Sequence, residues 1–134
     1  MNVVFDTNVL ISAILFGGIP RNLFLKVISG NIDLYISEDI LNEFSGVLSR
    51  PKFCFKTLIV NEIVSELTAL CKLVSPPIKI DKIIDDADDN KILECAATAN
   101  AEYIVSGDNH LLSLKEYNFI KILSPAQMQN LLDT

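Results

Sequence analysis

The chain has 134 residues, 50% hydrophobic but only 7% aromatic, so its core must be built mainly of Ile, Leu and Val. That length suits one domain over residues 1–134, and no apolar run approaches the ~18 residues of a membrane span. A net charge of −6 excludes a protein that grips phosphate backbones by positive charge alone, unless its carboxylates hold divalent cations that reverse the local sign.

In chain order, Val3-Val4-Phe5 runs straight into Asp6, followed by Thr7 and Asn8. A short continuous apolar run suits a strand buried on both faces, as in a parallel sheet covered by helices. Sites in such sheets form just beyond the carboxyl ends of the strands, which is where Asp6 falls. The competing role for Asp6 or Asn8 is a plain helix cap. An aspartate this early, with no basic residues before it, also argues against a signal peptide. Val9 to Phe16 is predicted as a short apolar helix ended by Gly17-Gly18. Pro20 opens the next, where Leu23, Phe24, Val27 and Ile28 recur at helical spacing. Gly30-Asn31 stops it, and Asp33 to Ile36 reads as the second strand, a β-α-β order whose connection is right-handed almost without exception.

Ser37 is the predicted N-cap of a third helix with Ile40, Leu41, Phe44, Val47 and Leu48 on its apolar face. Glu43 borders that face, about 8 Å from the helix start, either paired with Arg50 or Lys26 or turned toward the end of the first strand. Pro51 closes the helix. Arg50, Lys52 and Lys56 then form a basic cluster, read either as a solvated surface or as an edge that contacts phosphates. Leu58 to Val74 is predicted as one long outer helix, and Ile78-Lys79-Ile80 as a short edge strand after Pro76-Pro77.

Five aspartates lie between Asp81 and Asp89, directly before a helix carrying Ile92, Leu93, Cys95, Ala96 and Ala97. Acidic residues favour helix N-termini, but five repel one another unless they are spread in solvent or meet a cation. Asp89 precedes Ile92, Leu93 and Ala96 by three, four and seven residues, so it lies above the inward stripe; Asp85 and Asp86 are assigned to a solvated loop. Tyr103-Ile104-Val105 then runs into Ser106-Gly107-Asp108, repeating the opening pattern. A helix from Leu111, a strand over Phe119 to Leu123 and a C-terminal helix opened by Pro125 complete the chain. Cys54, Cys71 and Cys95 lack metal-ligand spacing and read as reduced thiols of a cytoplasmic protein, Cys95 on a packed helix face. His110, the only histidine, neighbours Asp108 and is expected at the surface, with contact to substrate as the lesser alternative.

Two strands thus end in aspartates and two helices each bring an acid to the same edge: Asp6, Asp108, Glu43 and Asp89. Converging carboxylates raise one another's pKa and are stabilised by a shared proton or a hard cation. Oxygen-only ligands favour Mg²⁺ or Mn²⁺, and a metal so held activates water and stabilises a phosphoryl transition state. There is no P-loop, Gly-rich dinucleotide turn or nucleophile motif.

These residues resemble the PIN-domain nucleases, most closely the VapC-like toxin ribonucleases of toxin–antitoxin modules. The matching pieces are Asp6-Thr7-Asn8, Glu43 within Glu38 to Phe44, Asp89 within Asp88 to Leu93, and Ser106-Gly107-Asp108, in the family's order along nearly the whole chain. The resemblance implies a three-layer α/β/α fold with a five-stranded parallel sheet in the order 3-2-1-4-5. It makes Asp6, Glu43, Asp89 and Asp108 the acidic metal-binding quartet, with Thr7, Asn8 and Ser106 in support. It also implies Mg²⁺- or Mn²⁺-dependent RNA cleavage leaving 5′-phosphate and 3′-hydroxyl ends, homodimers, and a small antitoxin partner. Arg50, Lys52 and Lys56 are then candidate RNA contacts. Two alternatives are a haloacid-dehalogenase-like phosphatase and a catalytically inactive PIN-like binding module. The former wants a second acid two residues after the first, where this chain has Asn8.

Overall fold

Strand β1, Asn2–Phe5, is the axis of the sheet: Val3, Val4 and Phe5 are at most 1% exposed. In a computed structural model, described over residues 1–77 and 87–134, β1 pairs in parallel with β2 (Asp33–Ser37) on one side and β4 (Tyr103–Val105) on the other. The register sets Val4 against Tyr35 and Ile104. Strand β3 (Lys72–Val74) adds in parallel outside β2, and β6 (Ile120–Leu123) outside β4. These five parallel strands stand in the order expected. A two-residue strand, β5 (Glu116–Tyr117), pairs antiparallel with β6 and makes the full order β3-β2-β1-β4-β6-β5. Helices flank the sheet, giving the three-layer α/β/α arrangement of a parallel sheet with both faces covered.

Two local expectations are corrected, and a third falls outside the described residues. The third strand is Lys72–Val74, within the stretch predicted as helical; α4 spans Thr57–Leu70 and ends as Cys71 turns extended. Leu73 continues the spacing of Leu67 and Leu70, but pairing with Ile36 on the open edge of β2 outweighs that periodicity. The expected strand at 78–80 lies outside the described residues, as do Asp81, Asp85 and Asp86. At the other edge, Phe119 is not in a strand: Asn118 and Phe119 have φ of 48° and 68° and form the turn between β5 and β6.

The remaining elements follow their local chemistry. Helix α1 (Thr7–Ile11) runs on as a wider π-helical turn over Ser12–Phe16, ended at Gly17 with φ of 88°. Arg21, on α2 (Gly18–Ile28), donates to the carbonyls of Ala13 and Ile14, 2.9 Å each, covering acceptors that the π turn leaves open. Helix α3 (Glu38–Leu48) is capped as predicted, Ser37 Oγ accepting from the Ile40 N–H, and a short 3₁₀ turn follows at Pro51–Phe53. Helix α5 (Ala87–Thr98) packs against β1, β2 and β4, burying Ile92, Leu93, Cys95 and Ala96. Helix α6 (Asn109–Leu114) precedes the β5–β6 hairpin. Helix α7 (Pro125–Leu132) carries a full capping box between Ser124 and Gln127. Among the described residues, no single helix is long and apolar enough to cross a membrane.

Candidate metal centre

Parallel pairing puts the carboxyl ends of β1 and β4 side by side, so Asp6 and Ser106, the residues that follow them, meet across the central seam. Ser106 is fully buried; its hydroxyl donates to Asp6 Oδ2 at 2.7 Å and accepts from the Asp108 N–H at 2.9 Å. One serine thereby fixes two acids. Asp6 occupies the N-cap position of α1 without a side-chain capping hydrogen bond of good geometry, although the backbone N–H groups of Asn8 and Thr7 lie near enough to favour its charged form. Asp108 does cap: its Oδ1 accepts from the His110 N–H at 2.7 Å, which orients the carboxylate at the start of α6.

Glu43 arrives from the middle of α3 and Asp89 from the first turn of α5, an arrangement made possible because α3 packs against both α1 and α5. Asp6, Asn8, Glu43, Asp89 and Asp108 line one cleft of about 230 Å³, with Arg50 and Val47 at its wall. Asp6 and Asp89 are buried, 7% and 4% exposed; Asn8 and Arg50 are exposed. Thr7 is buried beside the cleft, 2% exposed, but does not line it. Lys52 and Lys56 are exposed beyond Arg50 and are not part of the lining. Side-chain placement is described for Asp89 and not for its neighbour Asp88.

Burial pushes the Asp6 carboxyl above its ordinary value of 3.8. The Ser106 hydroxyl opposes that shift, and the nearby Asp108 charge reinforces it. Lys91 Nζ lies 3.8 Å from Glu43 Oε2, a cation that the sequence reading did not name. Lys91 follows Asp89 by two residues on α5, and nothing in its spacing distinguishes it from an ordinary surface lysine.

His110 is the other residue that spacing undervalued. Its side chain is 71% exposed, in keeping with a surface position, yet Nδ1 lies 3.8 Å from Asp108 Oδ1 and 3.9 Å from Asp89 Oδ2. Asp89, Asp108 and His110 offer three ligand atoms within 4.8 Å of one another. Carboxylate oxygens in this number suit a hard divalent cation, and one imidazole nitrogen is tolerated by Mn²⁺ as well as by softer ions. The donor set therefore fits a divalent metal.

A family model described as PIN domain matches residues 2–110. The fold is similar to a chain in the crystal structure of VapBC2 from Rickettsia felis bound to a DNA fragment from their promoter. The TM-score is 0.68 and the identity 17%, over 92% of this chain and 98% of that one. At that identity the likeness speaks for the fold alone. No curated protein matches the sequence.

Proposed function

Because the chain belongs to the PIN-domain family, we propose that it is a metal-dependent endoribonuclease, the toxin of a type II toxin–antitoxin pair. One observation carries this: four carboxylates, Asp6, Glu43, Asp89 and Asp108, line a single cleft at the strand ends, although they lie far apart in the chain. Carboxylates gathered in this way, Asp6 and Asp89 buried among them, favour a divalent cation, and the donor set suits Mg²⁺ or Mn²⁺.

Asp6 is the central ligand, held by Ser106; Asp89 and Asp108 complete the set, and Glu43 binds metal or orients the attacking water. A divalent ion in this position supplies water activation at neutral pH and neutralises charge on the phosphoryl group. Asn8 offers an exposed amide to the scissile phosphate, and Arg50 at the cleft wall adds the positive charge that an acidic protein otherwise lacks there. Thr7 sits behind Asp6 and packs the strand end. Lys52 and Lys56 extend the basic edge along the substrate.

The proposed products are a 5′-phosphate and a 3′-hydroxyl. The partner is a small antitoxin that blocks the cleft by placing an arginine among the carboxylates; a homodimer in the cytoplasm is the proposed working form. Purified protein incubated with RNA and Mg²⁺ or Mn²⁺ tests the activity: cleavage that stops with EDTA is expected. Undiminished cleavage in EDTA, with contaminating nuclease excluded, refutes it.

A further inference from the structure

Beyond the cleft, the chain from Arg50 to Lys56 and the end of the π turn together build a second feature. Phe55 packs against the core, and Phe53 stacks on it with ring centroids 6.3 Å apart and planes 24° from parallel. Phe16, at the end of the π turn, meets Phe53 at 6.4 Å and 49°, and is 70% exposed. Lys52 Nζ lies 5.0 Å from the Phe53 centroid, and Lys56 is exposed at the start of α4. Both ends of this ridge connect to the cleft through its own lining residues. Arg50 precedes the 3₁₀ turn that carries Phe53, and Asn8 lies eight residues before Phe16 on the same helical stretch, roughly 12 Å away at 1.5 Å per residue.

One exposed ring and one half-buried ring, with cations beside them and a phosphate-directed site nearby, match what a flexible nucleic-acid strand requires. Unpaired bases stack on aromatic faces, and the adjacent ammonium groups meet the phosphates between them. A duplex offers no free base faces to such a ridge. We propose that Phe16 and Phe53, backed by Phe55 and flanked by Lys52 and Lys56, form a stacking subsite that seats bases of the RNA strand leading into the cleft. The proposal rests on the ribonuclease reading for the identity of the strand, but not for its measurement.

Binding and cleavage are read separately. A short single-stranded RNA carrying 2-aminopurine is titrated with the metal-free protein, and stacking is followed as loss of fluorescence. Cleavage of the same RNA in Mn²⁺ gives KM and kcat. Phe16→Ala and Phe53→Ala each weaken binding roughly ten- to hundredfold and raise KM rather than lower kcat, while Phe53→Tyr restores binding. Phe119→Ala is the control: that ring is 93% exposed but sits in the β5–β6 turn, at the end of the sheet opposite the cleft, and its loss leaves binding unchanged. Melting curves establish that each variant is folded. Wild type that quenches no single strand, or folded Phe16→Ala and Phe53→Ala variants that bind within twofold of wild type, overturn the proposal. So does a change in oligomeric mass in those variants with RNA binding intact, which assigns the ridge to a protein contact. Stacking without hydrolysis refutes the ribonuclease reading and leaves the ridge standing; hydrolysis indifferent to both rings does the reverse.

Discussion

Asp6→Asn separates a metal centre from a set of helix caps, because the two make opposite predictions for stability. Wild-type Asp6 is 7% exposed, its pKa is raised by that burial, and Asp108 adds repulsion. Asparagine keeps an oxygen able to accept from Ser106 Oγ, so the 2.7 Å hydrogen bond survives the change while the buried charge does not. In EDTA at neutral pH the variant should therefore melt at or above the wild-type temperature. Metal at a hundredfold excess over its dissociation constant should stabilise the wild type by about 2.7 kcal/mol, or about 9 °C for 134 residues, and the variant much less. The pH dependence follows from the raised pKa. Protonated Asp6 is favoured in the folded state, so its contribution is fully present below 3.8 and is lost as pH rises through the higher folded value. The stability advantage of Asp6→Asn over metal-free wild type should thus shrink as pH falls toward 4. Melting curves of both proteins, in EDTA and in Mn²⁺ across that range, decide it. A variant about 1 kcal/mol less stable, beside a wild type indifferent to metal, is the capping outcome and refutes the reasoning.

Asp89→Asn and Asp108→Asn should each abolish most RNA cleavage and Glu43→Gln reduce it strongly, whereas Glu62→Gln, exposed on α4, should leave it unchanged; equal loss from Glu62→Gln would mean that general acidity and not the cleft matters. Ser106→Ala should cost about 1–3 kcal/mol in a denaturant titration and lower activity, since it leaves the Asp108 N–H and Asp6 without their shared partner. Burial pushes the thiols of Cys71 and Cys95 up to about 12, so a native alkylation at pH 8 should modify exposed Cys54 alone, with a single adduct in the mass spectrum. Expression without its genomic neighbour should arrest growth, and co-expression of that neighbour should relieve the arrest; unaffected growth counts against a toxin.

The parts of this fold that could be read from the sequence are those where one force dominates. Val3-Val4-Phe5 suits a strand buried on both faces, and once it is central the positions of Asp6 and Asp108 follow from strand ends. Asp89 was placed by its spacing from Ile92, Leu93 and Ala96, all fully or nearly fully buried. Where two forces compete, local spacing misleads. Leu67, Leu70 and Leu73 keep a helical period, but the open edge of β2 recruits Lys72–Val74 through backbone hydrogen bonds that no side-chain pattern records. Asn118-Phe119 carries the left-handed turn without the glycine that would have marked it. His110 joins Asp89 and Asp108 only through the direction in which α6 starts, a tertiary property that a lone histidine in a sequence does not reveal.

The pairing of β1 with β4 has a consequence for the order in which the cleft can arise. Residues 3–5 find one partner about thirty residues on, in β2, and the other about a hundred residues on, in β4. The Ser106–Asp6 hydrogen bond closes a loop of 100 residues, so no shorter piece of the chain brings the two aspartates flanking Ser106 into one place. Contacts this distant in sequence form late, after the local helices and the β1–β2 pair. Until β4 is made, the central strand is paired on one side only, and Asp6 lacks both Ser106 and Asp108. The fourth carboxylate and the serine that ties it to Asp6 therefore come last, and a chain that ends before β4 holds three of the acids without the residue that fixes the first.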